Sequence, residues 1–156
     1  MEGAIGVLLA DDDATFRTAV RSALAGEGDI AVVGEAGDGR EAIEAARALS
    51  PDVVLLDLRL PVMDGIEAAA EMHRASPASR VVMLTVSDDG DDVRDALEAG
   101  ASGYLLKSSA LADLAPALRA VTGGLGLLVA PEVASALVTG DQPRPPGDQA
   151  RPAGVG

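Results

Sequence analysis

The chain reads as an α/β domain built on a doubly wound, five-stranded parallel sheet with helices on both faces. Two observations predict it. Five short aliphatic runs stand at 5–10 (IGVLLA), 30–33 (IAVV), 53–56 (VVLL), 81–84 (VVML) and 104–106 (YLL). They are continuous rather than alternating, as strands buried on both faces require. Helical apolar periods lie between them, and repeated strand–helix units build a parallel sheet. Sequence pattern alone leaves several strand orders open.

The helical elements follow in order. Phe16, Val20 and Leu24 recur at four-residue spacing behind Asp13, which is placed to start that helix and serve its positive end. Ile43, Ala46 and Leu49 follow Asp38 and Glu41, spaced as a capping box. The stretch 66–73 is only weakly amphipathic, because alanine blurs its face. Val93, Ala96 and Leu97 share one face behind an acidic start at 87–89, and Leu111, Leu114, Leu118 and Val121 share another. Pro116 sits inside this last helix and predicts a kink, since it removes a donor and crowds the carbonyl four residues back.

The pattern divides the chain into a domain over 1–121, an extension over 122–140 and a tail over 141–156. The extension holds a short apolar run at 125–129 and a short helix opening on Pro131. The tail has four prolines, three glycines, two Asp and two Arg, and reads as a flexible linker. Being charge-neutral, it leaves the whole net charge of −13 on residues 1–140. So acidic a surface disfavours direct contact with nucleic acid or an anionic membrane.

Apolar residues make up 48% of the chain, yet Phe16 and Tyr104 are its only aromatics, so the core is aliphatic. Cysteine is absent, which removes disulfides, thiolate metal sites and thiol nucleophiles. The N-terminus lacks the pattern of a signal peptide and no run reaches the ~18 residues that span a bilayer. The expectation is a soluble cytoplasmic protein.

The chemistry gathers at strand ends. Asp11 and Asp12 close the first strand, Asp57 the third and Thr85 the fourth, while Lys107 follows the fifth. In a parallel sheet these ends share one edge, where ligands of such folds bind. Three carboxylates together repel one another, and Mg²⁺, or another divalent cation such as Mn²⁺, removes that cost. An Asp nucleophile, a shielding cation, an ammonium and a hydroxyl are what transfer of a phosphoryl group to a carboxylate needs. Taken singly each residue has a bland explanation, an N-cap Asp or a solvated Lys. Five of them at successive strand ends do not.

The motifs VLLADDD, VVLLDLRLPVMDG, VVMLTVS and GYLLKSS resemble the receiver domain of two-component response regulators, NarL/FixJ-like subfamily, over residues 5–121. The resemblance implies a flavodoxin-like sheet of order 2-1-3-4-5. It also implies that Asp57 takes phosphate from a sensor histidine kinase. Asp12, Asp57 and the backbone carbonyl of Arg59 then bind the metal, with Asp11 helping through water, and Lys107 holds a phosphoryl oxygen. Thr85 moves toward the phosphate and Tyr104 turns inward, altering a partner surface and allowing a homodimer on phosphorylation. The output implied is control of transcription through a DNA-binding domain that these residues do not contain, or else a stand-alone regulator. On this reading the protein is a signalling receiver rather than an enzyme.

Position 86 departs from the family, which usually carries Ala or Gly there. Val86 is expected to narrow the approach to Asp57 and slow both phosphorylation and hydrolysis. One enzyme alternative uses Asp11-Asp12-Asp13-Ala14-Thr15 as the DxDxT motif of haloacid-dehalogenase-like phosphatases, with Asp11 as nucleophile and Asp13 as general acid. It lacks a later acidic metal motif and a substrate cap, and leaves DLRLPVMDG unexplained. His73, the only histidine, reads as a surface or packing residue.

Overall fold

The computed structural model describes residues 3–124 and 126–134. Strand and helix alternate as β1 (Ile5–Ala10), α1 (Ala14–Leu24), β2 (Ile30–Ala36), α2 (Gly39–Leu49), β3 (Val53–Leu56) and α3 (Gly65–Ala75). There follow β4 (Arg80–Thr85), α4 (Gly90–Glu98), β5 (Gly103–Leu106), α5 (Lys107–Thr122) and β6 (Leu128–Val129). All pairings are parallel, and the order is β2-β1-β3-β4-β5-β6. Helix α1 packs on α5, while α2 packs on α3 and α3 touches α4. This is the doubly wound arrangement the alternating pattern predicts, and β1 to β5 take the flavodoxin-like order that the resemblance implies.

The sheet has six strands where the sequence predicts five. Leu128 and Val129 pair with Gly103 and Tyr104, and a strand of two residues leaves no period to read. The backbone N–H of Leu128 donates to Ser102 O at 2.9 Å and that of Ala130 to Tyr104 O at 3.0 Å, while Ala130 and Val133 are buried in the core. Residues 131–134 form a helical turn, as Pro131 suggests. The rest of that expected helix, and the tail over 141–156, lie outside the described residues.

Burial explains which strands were easiest to recognise. Every residue of β3 and β5 is buried, as is all of β4 after Arg80. Strand β2 lies at the edge and alternates buried with exposed positions, and its register against β1 shifts between Val7 and Leu8. It runs three residues past the apolar run, through Gly34, Glu35 and Ala36.

The helix starts follow the acids. Asp13 caps α1, its Oδ1 accepting the N–H groups of Thr15 at 3.0 Å and Phe16 at 3.3 Å. Asp38 accepts from Glu41 N at 2.8 Å, and Glu41 reaches back to Gly37 N at 2.7 Å, so both ends of the box meet orphan donors. Asp64 and Asp89 cap α3 and α4. Helix α3 buries Ala68, Ala69 and Met72, a face of small residues that a hydropathy pattern renders faint. Helix α5 passes through Pro116 as one element. Pro116 and Ala112 are both exposed, so the carbonyl that loses its donor faces water. Among the described residues, no helix is long and apolar enough to cross a membrane.

Candidate phosphoacceptor site

Parallel register aligns the strand ends. Ala10 pairs with Leu56 and Thr85 with Leu106, so Asp11, Asp57, Thr85 and Lys107 all emerge at the carboxyl edge of the sheet. Asp11 and Asp57 are nearly buried, at 5% and 7% exposure, whereas Asp12 is exposed. One carboxylate oxygen from each of Asp11, Asp12 and Asp57 lies within 4.8 Å of the others. Lys107 bridges two of them, with Nζ 2.6 Å from Asp11 Oδ2 and 3.1 Å from Asp57 Oδ2.

One ammonium does not balance this cluster. Burial, reinforced by the charge of Asp11, raises the Asp57 carboxyl above the usual carboxylate pKa, against the pull of Lys107 and the Arg59 N–H. Burial alone would depress Lys107, but its hydrogen bonds to Asp11 and Asp57 outweigh this and raise it. The site therefore holds excess negative charge in a poorly solvated place. Three converging oxygen donors with that imbalance fit a hard divalent cation.

The backbone around Asp57 is tightly constrained. Its N–H donates to Ala10 O at 2.9 Å, and the Arg59 N–H approaches its Oδ1 at 3.4 Å. A Cβ on Gly65 would sit 2.0 Å from Asp57 O, and one on Gly39 would sit 1.8 Å from Met63 O. Hence the glycine of DLRLPVMDG is a packing requirement: α3 begins against the backbone of Asp57. Between them Val62 has φ of 71°, and Met63 N donates back to Pro61 O at 2.7 Å. A β-branched residue in that conformation is strained.

The remaining predicted residues reach toward α4. Thr85 is fully buried, and its Oγ1 accepts the N–H of Ser87 at 3.4 Å. Tyr104 already lies inward, fully buried, its hydroxyl donating to Ser87 O at 2.8 Å. Burial pushes its phenol up to about 12. Arg59 turns its guanidinium to Asp92 at 3.2 Å, and Ser87 Oγ donates to the same carboxylate oxygen at 2.6 Å. Val86 is 77% exposed at the start of this loop.

Several supporting residues carried no motif. Arg17 donates to the Asp11 carbonyl and is pinned by Glu35 Oε1 at 2.8 Å. Phe16 lies under Lys107. Asp92 ties the loop after Asp57 to α4. The available signals were faint: Phe16 is the only phenylalanine, and Arg17 and Glu35 are opposite charges on neighbouring elements. Asp13 is used as a helix cap and donates its N–H to Asp11 Oδ1 at 2.9 Å. That leaves the phosphatase alternative without its general acid. His73 is exposed and lies against Gly100.

Fold and site together define a carboxylate-centred receiver. The response regulator receiver domain model matches residues 7–119, and the chain belongs to that family. Within it, this is a receiver domain of the NarL/LuxR type. It is 42% identical over 118 residues to the nitrate/nitrite response regulator protein NarL of Escherichia coli K12, covering 76% of this chain and 55% of NarL. It is 44% identical over 120 residues to the transcriptional regulatory protein LiaR of Bacillus subtilis, covering 77% and 57%. The crystal structure of a LuxR-family two-component response regulator from Aurantimonas superposes with a TM-score of 0.82 at 34% identity, covering 88% of this chain and 97% of that one. The chain thus spans little more than half the length of the curated relatives it matches.

Proposed function

We propose that this receiver takes a phosphoryl group from the phosphohistidine of a sensor histidine kinase onto Asp57. An Asp57 carboxylate oxygen attacks phosphorus, the phosphorus–nitrogen bond breaks, and the imidazole nitrogen keeps the electron pair and takes up a proton. The observation that carries this reading is Lys107, held between Asp11 and Asp57 beside a third carboxylate. It places a positive charge where a phosphoryl oxygen arriving at Asp57 would need one.

Mg²⁺, or Mn²⁺ in its place, would be held by Asp12, Asp57 and the Arg59 carbonyl, with Asp11 behind them. When bound it supplies charge neutralisation and a grip on phosphoryl oxygens. Thr85 would donate its hydroxyl proton to the phosphoryl group, and a move toward it draws Oγ1 away from the Ser87 N–H that it accepts. Because Ser87 also accepts from Tyr104, a pull on Thr85 reaches the surface of α4, β5 and α5. The phosphoryl group then favours one of two packings of that surface. Likeness to LiaR supports control of transcription, and the family resemblance implies a DNA-binding domain as the output and a homodimer forming on phosphorylation.

The test is incubation with acetyl phosphate and Mg²⁺, followed by peptide mass spectrometry and a measurement of solution size. A single phosphoryl adduct on Asp57, absent in Asp57→Asn, is expected. An adduct on Asp11, or none at all, would overturn the reading.

A further inference from the structure

Lysine carries its charge on a long flexible stem, yet Lys107 is fixed from three sides. Asp11 and Asp57 hold Nζ by ion pairs, and the Phe16 ring lies with its centroid 4.5 Å away. An ammonium over an aromatic face is attracted by the ring's quadrupole, more strongly where water is scarce. Only 14% of the Lys107 side chain is exposed, so water competes poorly for it.

The ring is itself anchored. Phe16 is half-buried against the core in the first turn of α1. Its backbone N–H is held by Asp13, and its neighbour Arg17 grips both the Asp11 carbonyl and Glu35. The helix start is thereby tied to the end of β1 that carries Asp11. One short segment orders an acid of the site and the lysine opposite.

We propose that Phe16 is a positioning residue for phosphoryl transfer, its ring face holding the Lys107 ammonium over the Asp11–Asp57 pair. The proposal rests on the reading of Asp57 as phosphoacceptor. An aliphatic side chain at position 16 fills comparable space but offers no negative face. Lys107 then samples more positions, and its charge meets the phosphoryl oxygen less often.

Phe16→Leu and Phe16→Tyr test it with two readouts. In the unphosphorylated protein, the Lys107 ε-methylene protons carry a ring-current shift in the NMR spectrum. It should persist in the Tyr variant and vanish in the Leu variant. With acetyl phosphate and Mg²⁺, phosphorylation of Asp57 should slow about twofold to fivefold in the Leu variant, with Tyr near the wild-type rate. Phe16→Met replaces Leu if thermal unfolding shows that Leu fails to fold. Wild-type rates in the Leu or Met variant, or a Tyr variant as slow as they are, would overturn the proposal. A wild-type protein with the ring-current shift but no adduct on Asp57 would instead overturn the phosphoacceptor reading, and the transfer role with it.

Discussion

The two ends of the sheet are built from similar residue types and behave oppositely. At the amino end, Ser76 and Ser79 are buried with their hydroxyls 2.6 Å apart, and Ser79 donates onward to Pro51 O. Asp52 there accepts the Gly6 N–H at 2.8 Å while remaining exposed. Each of these polar groups has a protein partner, and the one charged group among them stays in reach of water. At the carboxyl end two buried acids, an exposed third and one lysine share a space the protein does not neutralise. Satisfied polarity is architecture. Unbalanced, converging charge marks a site waiting for a charged ligand.

The sharpest break in that comparison is Lys107→Ala. It removes the one cation between Asp11 and Asp57, leaving two nearly buried carboxylates facing each other. Breaking a buried pair from one side costs about 3–5 kcal/mol, so the melting temperature should fall, and added Mg²⁺ should restore part of the loss. Phosphorylation by acetyl phosphate should slow about tenfold or more. An unchanged melting temperature would mean that the pair is too solvated to matter.

Ser79→Ala probes the other end. It leaves Ser76 and the Pro51 carbonyl short of a partner and should cost about 1–2 kcal/mol in chemical denaturation. The rate of phosphorylation should stay at the wild-type value. A large change in rate would show that the two ends are coupled rather than independent.

Asp57→Asn should act in the opposite direction to Lys107→Ala. The raised Asp57 pKa means that the folded state holds a proton there more tightly than the unfolded chain does. Stability tied to this group therefore falls as pH rises, from the ordinary carboxylate pKa up to the raised one. Above that window the charge is expressed and destabilising. The Asn variant should be more stable than wild type above that window. On acidification through that window the difference should shrink, a trend measured by melts at a series of pH values.

How far the sequence discloses this follows from the same contrast. Central strands such as β3, buried along their whole length, announce themselves as unbroken apolar runs, and the acids that end them are legible as outliers. Edge elements are not: β2 continues through Gly34 and Glu35, and β6 has two residues. In the site, Asp11, Asp12, Asp57 and Lys107 could be grouped because a parallel sheet fixes where strand ends go. Phe16 under Lys107, Arg17 on the Asp11 carbonyl and Asp92 on Arg59 could not. Those contacts depend on side-chain directions, in two cases between elements distant in sequence, and no spacing rule encodes them. Tyr104 lies inward in this structure. Its depth is set by the bond to Ser87 in a loop of no regular pattern.

The smallest expected effect tests the rim rather than the charge. Val86 follows the buried Thr85 but is itself 77% exposed, so its branched side chain stands largely in solvent. Truncation costs little stability, since almost no packing is lost, and Val86→Ala should unfold within about 0.5 kcal/mol of wild type. The expected change is kinetic. A smaller residue opens the approach to Asp57 for donor and water alike, so phosphorylation and loss of the phosphoryl group should both quicken, by similar factors. A change in only one of the two rates would assign Val86 to donor recognition or to water exclusion instead. If neither rate changes, steric control at this rim is refuted, and access to Asp57 is governed by the charges beneath it.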